Sequence, residues 1–170
     1  MIFKRLISFA LLLIFCLTLV SCGMKDFVHE EFGFSITLPE DFELFPYGAK
    51  TTVTYKNAKE DCAVVINHFT VDELKPDFGG EDFTLKAYVE KSFEDHGFTG
   101  SGIHPTYPSE TCAIFEVATG ENESDMPQYS YNVVIKENGM VYVVQMICSA
   151  NDMESYKPKF EKWAKNIKVI

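Results

Sequence analysis

The sequence predicts an α+β domain, an antiparallel β-sheet sandwiched between α-helices. Three observations carry this. Asn138-Gly139 separates two apolar runs in YSYNVVIKENGMVYVVQMICSA, and Asn-Gly is a preferred two-residue hairpin turn because both residues tolerate positive φ. In the second run Met140, Tyr142, Val144 and Met146 point one way and Val141, Val143 and Ile147 the other, with only Gln145 polar. A strand apolar on both faces is a central strand covered on both sides. Two amphipathic segments, 81–96 and the one from about 153 onward, supply the cover.

The elements follow in order. In GFSITLP, Phe34, Ile36 and Leu38 alternate with Ser35 and Thr37, a half-buried strand stopped at Pro39. Thr51 to Tyr55 and Cys62 to Phe69 read as further strands around a polar turn at 57–61. Pro76, Gly79 and Gly80 mark a loop. The 81–96 helix presents Leu85, Tyr88, Val89 and Phe93, and Gly97 stops it. Cys112 to Thr119 is a strand, and 120–128 is a polar, acidic loop. The last helix carries Tyr156, Phe160, Trp163 and Ile167 in one stripe, with Asn151 or Asp152 to cap it. Pro158 belongs in or near its first turn, since deeper it would cost a backbone hydrogen bond.

This order of elements resembles PsbP-like domains. The resemblance rests on LPEDFEL after the opening strand, TCAIFEVAT, the hairpin VVIKENGMVYVVQMICSA and the closing YKPKFEKWAKNIKVI. Phe42 stands where that family often has Trp. The resemblance implies a fold, an antiparallel sheet between helices, and it transfers no functional residue. A fold of this kind does not fix a function.

The first residues give an address. Lys4 and Arg5 precede a nearly unbroken apolar run from Leu6 to Val20. This is the pattern of a secretory signal peptide, and the run is shorter than the ~20 residues that span a bilayer. Leu19-Val20-Ser21-Cys22 resembles the bacterial lipobox. The resemblance implies cleavage after Ser21, a diacylglyceryl group and further acyl chains such as palmitate on Cys22, and a mature chain that starts there. The expected organisation is a leader at 1–21, a lipidated cysteine and short tether at 22–26, and one domain at 27–170. Two or more acyl chains anchor a protein stably. The expected location is therefore the cell membrane or outer membrane, facing away from the cytoplasm.

Composition limits the functions. The chain has 15 basic and 25 acidic residues, a formal net charge of −10. Removing Lys4 and Arg5 with the leader takes it to −12. Such a surface argues against nucleic acid, whose phosphates are bound by Lys and Arg. No cofactor motif is present. Cys62, Cys112 and Cys148 remain after the leader and Cys22. They are either three buried thiols or one bridge and one free thiol.

No catalytic constellation is legible. His29, His68, His96 and His104 are scattered. HEEF at 29–32 lacks the second His of a zinc-protease helix. Cys62 and His68 share a strand face but stand about 20 Å apart. No metal-ligand spacing is present. The expected role is a non-enzymatic, lipid-anchored binding or assembly module, held to the membrane through Cys22 and meeting an envelope protein partner. Its candidate partner surface is the aromatic set Phe42, Phe45 and Tyr47, since exposed aromatic patches mark interaction sites. The alternatives are a small envelope hydrolase or metal-dependent enzyme, and a binder of a small apolar ligand between sheet and helix. A sizeable apolar pocket favours the last.

Overall fold

The structure is a computed structural model that describes residues 23–46, 50–57, 62–78, 80, 83–95, 104–119 and 127–170. Cys22 with the leader, Tyr47, positions 58–61 of the expected turn, His96 and positions 120–126 of the acidic loop lie outside the described residues. The strands are β1 (Met24–His29), β2 (Phe34–Pro39), β3 (Glu43–Phe45), β4 (Thr52–Asn57), β5 (Cys62–Thr70), β6 (Thr106–Ser109), β7 (Cys112–Thr119), β8 (Gln128–Glu137), β9 (Met140–Ser149) and β10 (Lys168–Val169). The helices are α1 (Val71–Leu74), α2 (Leu85–Asp95) and α3 (Met153–Ala164).

Alternating side chains dictate the layers. A seven-stranded antiparallel sheet runs in the order β3-β4-β5-β9-β8-β7-β6, so β9 is its central strand. One face presents Cys62, Val64, Ile66, Tyr131, Val133, Tyr142, Val144 and Met146 to the main core. That core is closed by Tyr156, Phe160 and Trp163 of α3 and by a small sheet of order β1-β2-β10. The opposite face presents Ala113, Val134 and Val141 to Leu74, Phe83, Leu85 and Val89. These come from α1, α2 and the segment before α2. Both clusters are built wholly from residues between 24 and 169, so this segment carries its own core.

The β8–β9 hairpin closes as its turn chemistry requires. Asn138 and Gly139 have φ of 52° and 75°, and Glu137 pairs with Met140. The second helix begins at Leu85 and not at 81. Thr84 is its cap, since Oγ1 accepts a hydrogen bond from the Ala87 N–H at 3.1 Å. Phe83, just before the cap, packs edge-on against Tyr88, which fixes the entry of the chain. In α3, Pro158 lies in the second turn and not the first. The carbonyl it cannot serve belongs to Glu154, which is exposed to water. Asp152 stands at the α3 cap, but its side chain makes no capping bond.

One further expectation is corrected. Met24 to Asp26, read as tether, are strand residues paired with Pro39, Leu38 and Thr37. Gly23 is already held, its carbonyl accepting from the Glu40 N–H at 2.8 Å. Charged Lys25 and Asp26 hid this strand from a hydrophobicity reading, because both are exposed although they point to opposite faces.

Candidate functional site

Among the described residues, the sheet face under α2 is only partly covered. Cross-strand register sets out its rows. Ala113, Val134 and Val143 align with Asn67, and this row lies at the helix. The next row is Phe115, Asn132, Gln145 and Val65, and the one beyond it is Val117, Ser130, Ile147 and Ala63. Over these rows lies a cleft of about 510 Å³, walled on the helix side by Tyr88, Val89, Ser92 and Phe93. Phe93 meets Phe115 edge-to-face at 4.8 Å, which ties the end of α2 to β7.

The floor is polar where a filled core would be apolar. Asn132 is 1% exposed and yet lines the cleft. Its Nδ2 donates to Ser130 Oγ at 3.0 Å and, at 3.4 Å, to the carbonyls of Ser130 and Phe115. Its Oδ1 accepts nothing among the described residues. Gln145 faces it across the strand pair, and its side chain makes no hydrogen bond among the described residues. Asn67 accepts from Thr52 Oγ1 at 2.7 Å, which leaves its own N–H groups for another partner. Every lining side chain among the described residues is uncharged. The size falls within the range of small-molecule sites, and an apolar wall with a few convergent polar groups is their usual construction.

The sequence had flagged only one of these residues, Gln145, as the polar exception on its strand. Asn67 carries the same signal, polar between Val65 and Phe69 on its strand face, whereas Ser130 and Asn132 follow Gln128 on one face of β8, so the apolar pattern resumes only at Val134.

The expected partner surface is not one surface. Phe42 is 2% exposed and packs edge-on against Trp163 at 5.4 Å, so it is a core residue. Its position beneath the end of α3 explains why a large aromatic suits that site. Phe45 is exposed at 48%, beside Leu44 at 58%, on the edge strand β3. Tyr47 and Cys22 lie outside the described residues.

The described histidines, His29, His68 and His104, do not converge on a carboxylate cleft. His29 Nε2 is hydrogen-bonded to Tyr55 Oη, and its ring stacks on Phe34 at 5.0 Å. His68 packs on Phe32 at 4.2 Å, and its buried Nε2 has no partner among the described residues. Burial lowers the pKa of both rings, against the opposing field of Glu31 and, at His68, of Glu73. His104 is exposed. No group of three or more His, Cys, Asp or Glu among the described residues is arranged to hold a metal ion. Cys62, Cys112 and Cys148 form no disulfide among the described residues. Burial raises the Cys112 pKa and pushes Cys148 up to about 11. No helix among the described residues is long and apolar enough to cross a membrane.

Comparison with solved structures now bears on the fold. The chain superimposes on cyanobacterial PsbP (CyanoP) from Synechocystis sp. PCC 6803 with a TM-score of 0.63, at 11% identity, over 88% of this chain and 94% of that one. The fold is PsbP-like. The same PsbP-like arrangement matches the Saccharomyces cerevisiae Ran-binding protein Mog1p, with a TM-score of 0.59 at 10% identity over 88% and 96% of the two chains. A Bacteroides thetaiotaomicron protein matches at 0.53 and 12% identity, over 86% of this chain and 48% of that one. No sequence-family model matches the chain, and no curated protein sequence does. At these identities the likeness is one of fold.

Proposed function

We propose that the protein is a lipid-anchored binding module of the cell envelope that holds a small, neutral, partly apolar ligand in the cleft between α2 and the sheet. The cleft itself carries the ligand-binding part of this reading. On this face Asn132 Oδ1 and the Gln145 side chain have no hydrogen-bond partner among the described residues. Buried polar groups cost free energy unless they are hydrogen-bonded, so such a floor suits a ligand that supplies the missing partner. The anchor rests on the basic start, the apolar run and the lipobox resemblance at Leu19 to Cys22. With β1 beginning at Met24, a lipidated Cys22 would stand two residues before the first strand. The domain would then work at the membrane surface, where its charge of about −12 keeps it from settling onto anionic lipid.

The test is binding of Nile red, a neutral apolar dye, by residues 23–170. Its fluorescence should rise with saturation at one dye per protein, and Ser92→Trp, which fills the helix-side wall, should abolish the rise. Equal binding by the Ser92→Trp variant would rule the cleft out as the site.

A second reading draws on Leu44 and Phe45, two exposed apolar residues on an edge strand. Such edges are places where another chain can pair or pack. Under that reading the partner is an envelope protein. Replacing both by Ser should then abolish its recovery by crosslinking in intact cells without unfolding the protein.

A further inference from the structure

The geometry points to recognition of a carboxamide in the cleft: its ligand is a neutral molecule that joins an amide group to an apolar or aromatic body. This inference rests on the ligand-binding reading above and names the ligand's chemistry.

No Asp, Glu, Lys, Arg or His among the described residues lines the cleft. A charged ligand entering it would lose hydration with no opposite charge in compensation, which is the costly case. A fully apolar ligand would leave the floor unsatisfied. Asn132 Oδ1 is an acceptor in a residue 1% exposed, with its Nδ2 already fixed by Ser130 and the Phe115 carbonyl. The bonds of Nδ2 therefore set which end of the amide faces the cleft. A ligand N–H satisfies Oδ1.

Gln145 stands directly opposite in the β8–β9 register and retains both amide N–H groups and a carbonyl oxygen. It can donate to a ligand C=O while Asn132 accepts from the ligand N–H. One acceptor and one donor side by side match the N–H and C=O of a single amide. The rest of the ligand meets Phe93, Phe115 and Tyr88, whose rings bound the same space. Those rings favour an aromatic or other apolar group beside the amide.

Calorimetry on residues 23–170 tests this with N-acetyl-L-phenylalaninamide, an uncharged molecule bearing amides and one ring. N-acetyl-L-phenylalanine, its carboxylate counterpart, is the charged control, and Nile red is the apolar one. Gln145→Leu is the informative variant, because Gln145 makes no side-chain hydrogen bond in the described fold that its loss would break. The amide probe should bind at one site, the acid should bind at least about tenfold more weakly, and Gln145→Leu should weaken the amide probe about tenfold, the loss of one buried hydrogen bond. Nile red binding should survive that variant.

If the acid binds as well as the amide, or Gln145→Leu leaves the amide probe unaffected while Nile red still binds, carboxamide recognition is wrong and the cleft reading stands. If neither Nile red nor the amide probe binds, both fall together.

Discussion

His68 shows how a single side chain ties this fold to pH. Its ring is pressed against Phe32 and its Nε2 is buried without a partner among the described residues. His29 lies on the other side of Phe32, stacked at 5.9 Å. For both, burial holds the folded pKa below the ordinary value of 6.5. The unfolded chain therefore takes up protons at a pH where the folded chain does not. Stability supplied by neutral rings is present above pH 6.5 and lost as pH falls below it, toward the lowered folded values. The charged groups that act on these rings are Glu31 and Glu73, and they soften the effect without reversing it. The midpoint of urea unfolding should fall between pH 7.5 and 5.5, and His68→Phe should flatten that fall. A midpoint that rises with acid would contradict the sign.

Two more residue-scale expectations concern the core. Phe160 is fully buried between Tyr129 and Trp163. Phe160→Ala should cost about 3–5 kcal/mol in chemical denaturation, the usual range for removing a buried ring. The three thiols should resist alkylation at pH 8 in the folded protein, Cys148 most clearly, since its pKa of about 11 leaves little thiolate. All three should react at once when urea is added. Phe42 carries the contrary lesson. A sequence cannot separate an aromatic that fills a core from one that forms a surface when the deciding contact is Trp163, far along the chain.

At the scale of elements, the strongest local signals were the most legible. The β8–β9 hairpin is fixed by Asn138 and Gly139 at positive φ, and Gly139→Val should cost about 1–2 kcal/mol, read as a lower thermal midpoint. The stripe Tyr156, Phe160, Trp163 located α3, and both-face apolarity placed β9 at the centre of the sheet. What escaped was short or polar. The strands β3 and β6 are exposed throughout, so they carry no alternating apolar pattern. The strand β10 has two residues and exists only because β2 offers it an edge. The start of α2 was misplaced because a cap at Thr84 depends on one hydroxyl and not on periodicity.

Across the whole molecule, the arrangement of layers decides what is free to act. One face of the main sheet is closed by α3 and the small sheet, with Lys157 of α3 reaching both oxygens of Glu116 on β7 at 2.8 and 2.9 Å. That pair is more than a third exposed, so Lys157→Ala should change stability by less than about 1 kcal/mol. Among the described residues the other face is covered by one longer helix, α2, one turn, α1, and Phe83, which leaves two rows of the sheet facing a cleft. The sandwich was legible from the sequence. The cleft was not, because polar inward residues on separate strands align only once the register is known.

The claim that this cleft is the working site is tested most directly by nuclear magnetic resonance. The side-chain amide signals of Asn67, Asn132 and Gln145 would be followed in residues 23–170 as N-acetyl-L-phenylalaninamide is added. The account expects saturable shifts at these three residues and along Tyr88 to Phe93, with β3 unchanged. Shifts centred on Leu44 and Phe45 with a silent cleft would contradict it and move the functional surface to the edge strand.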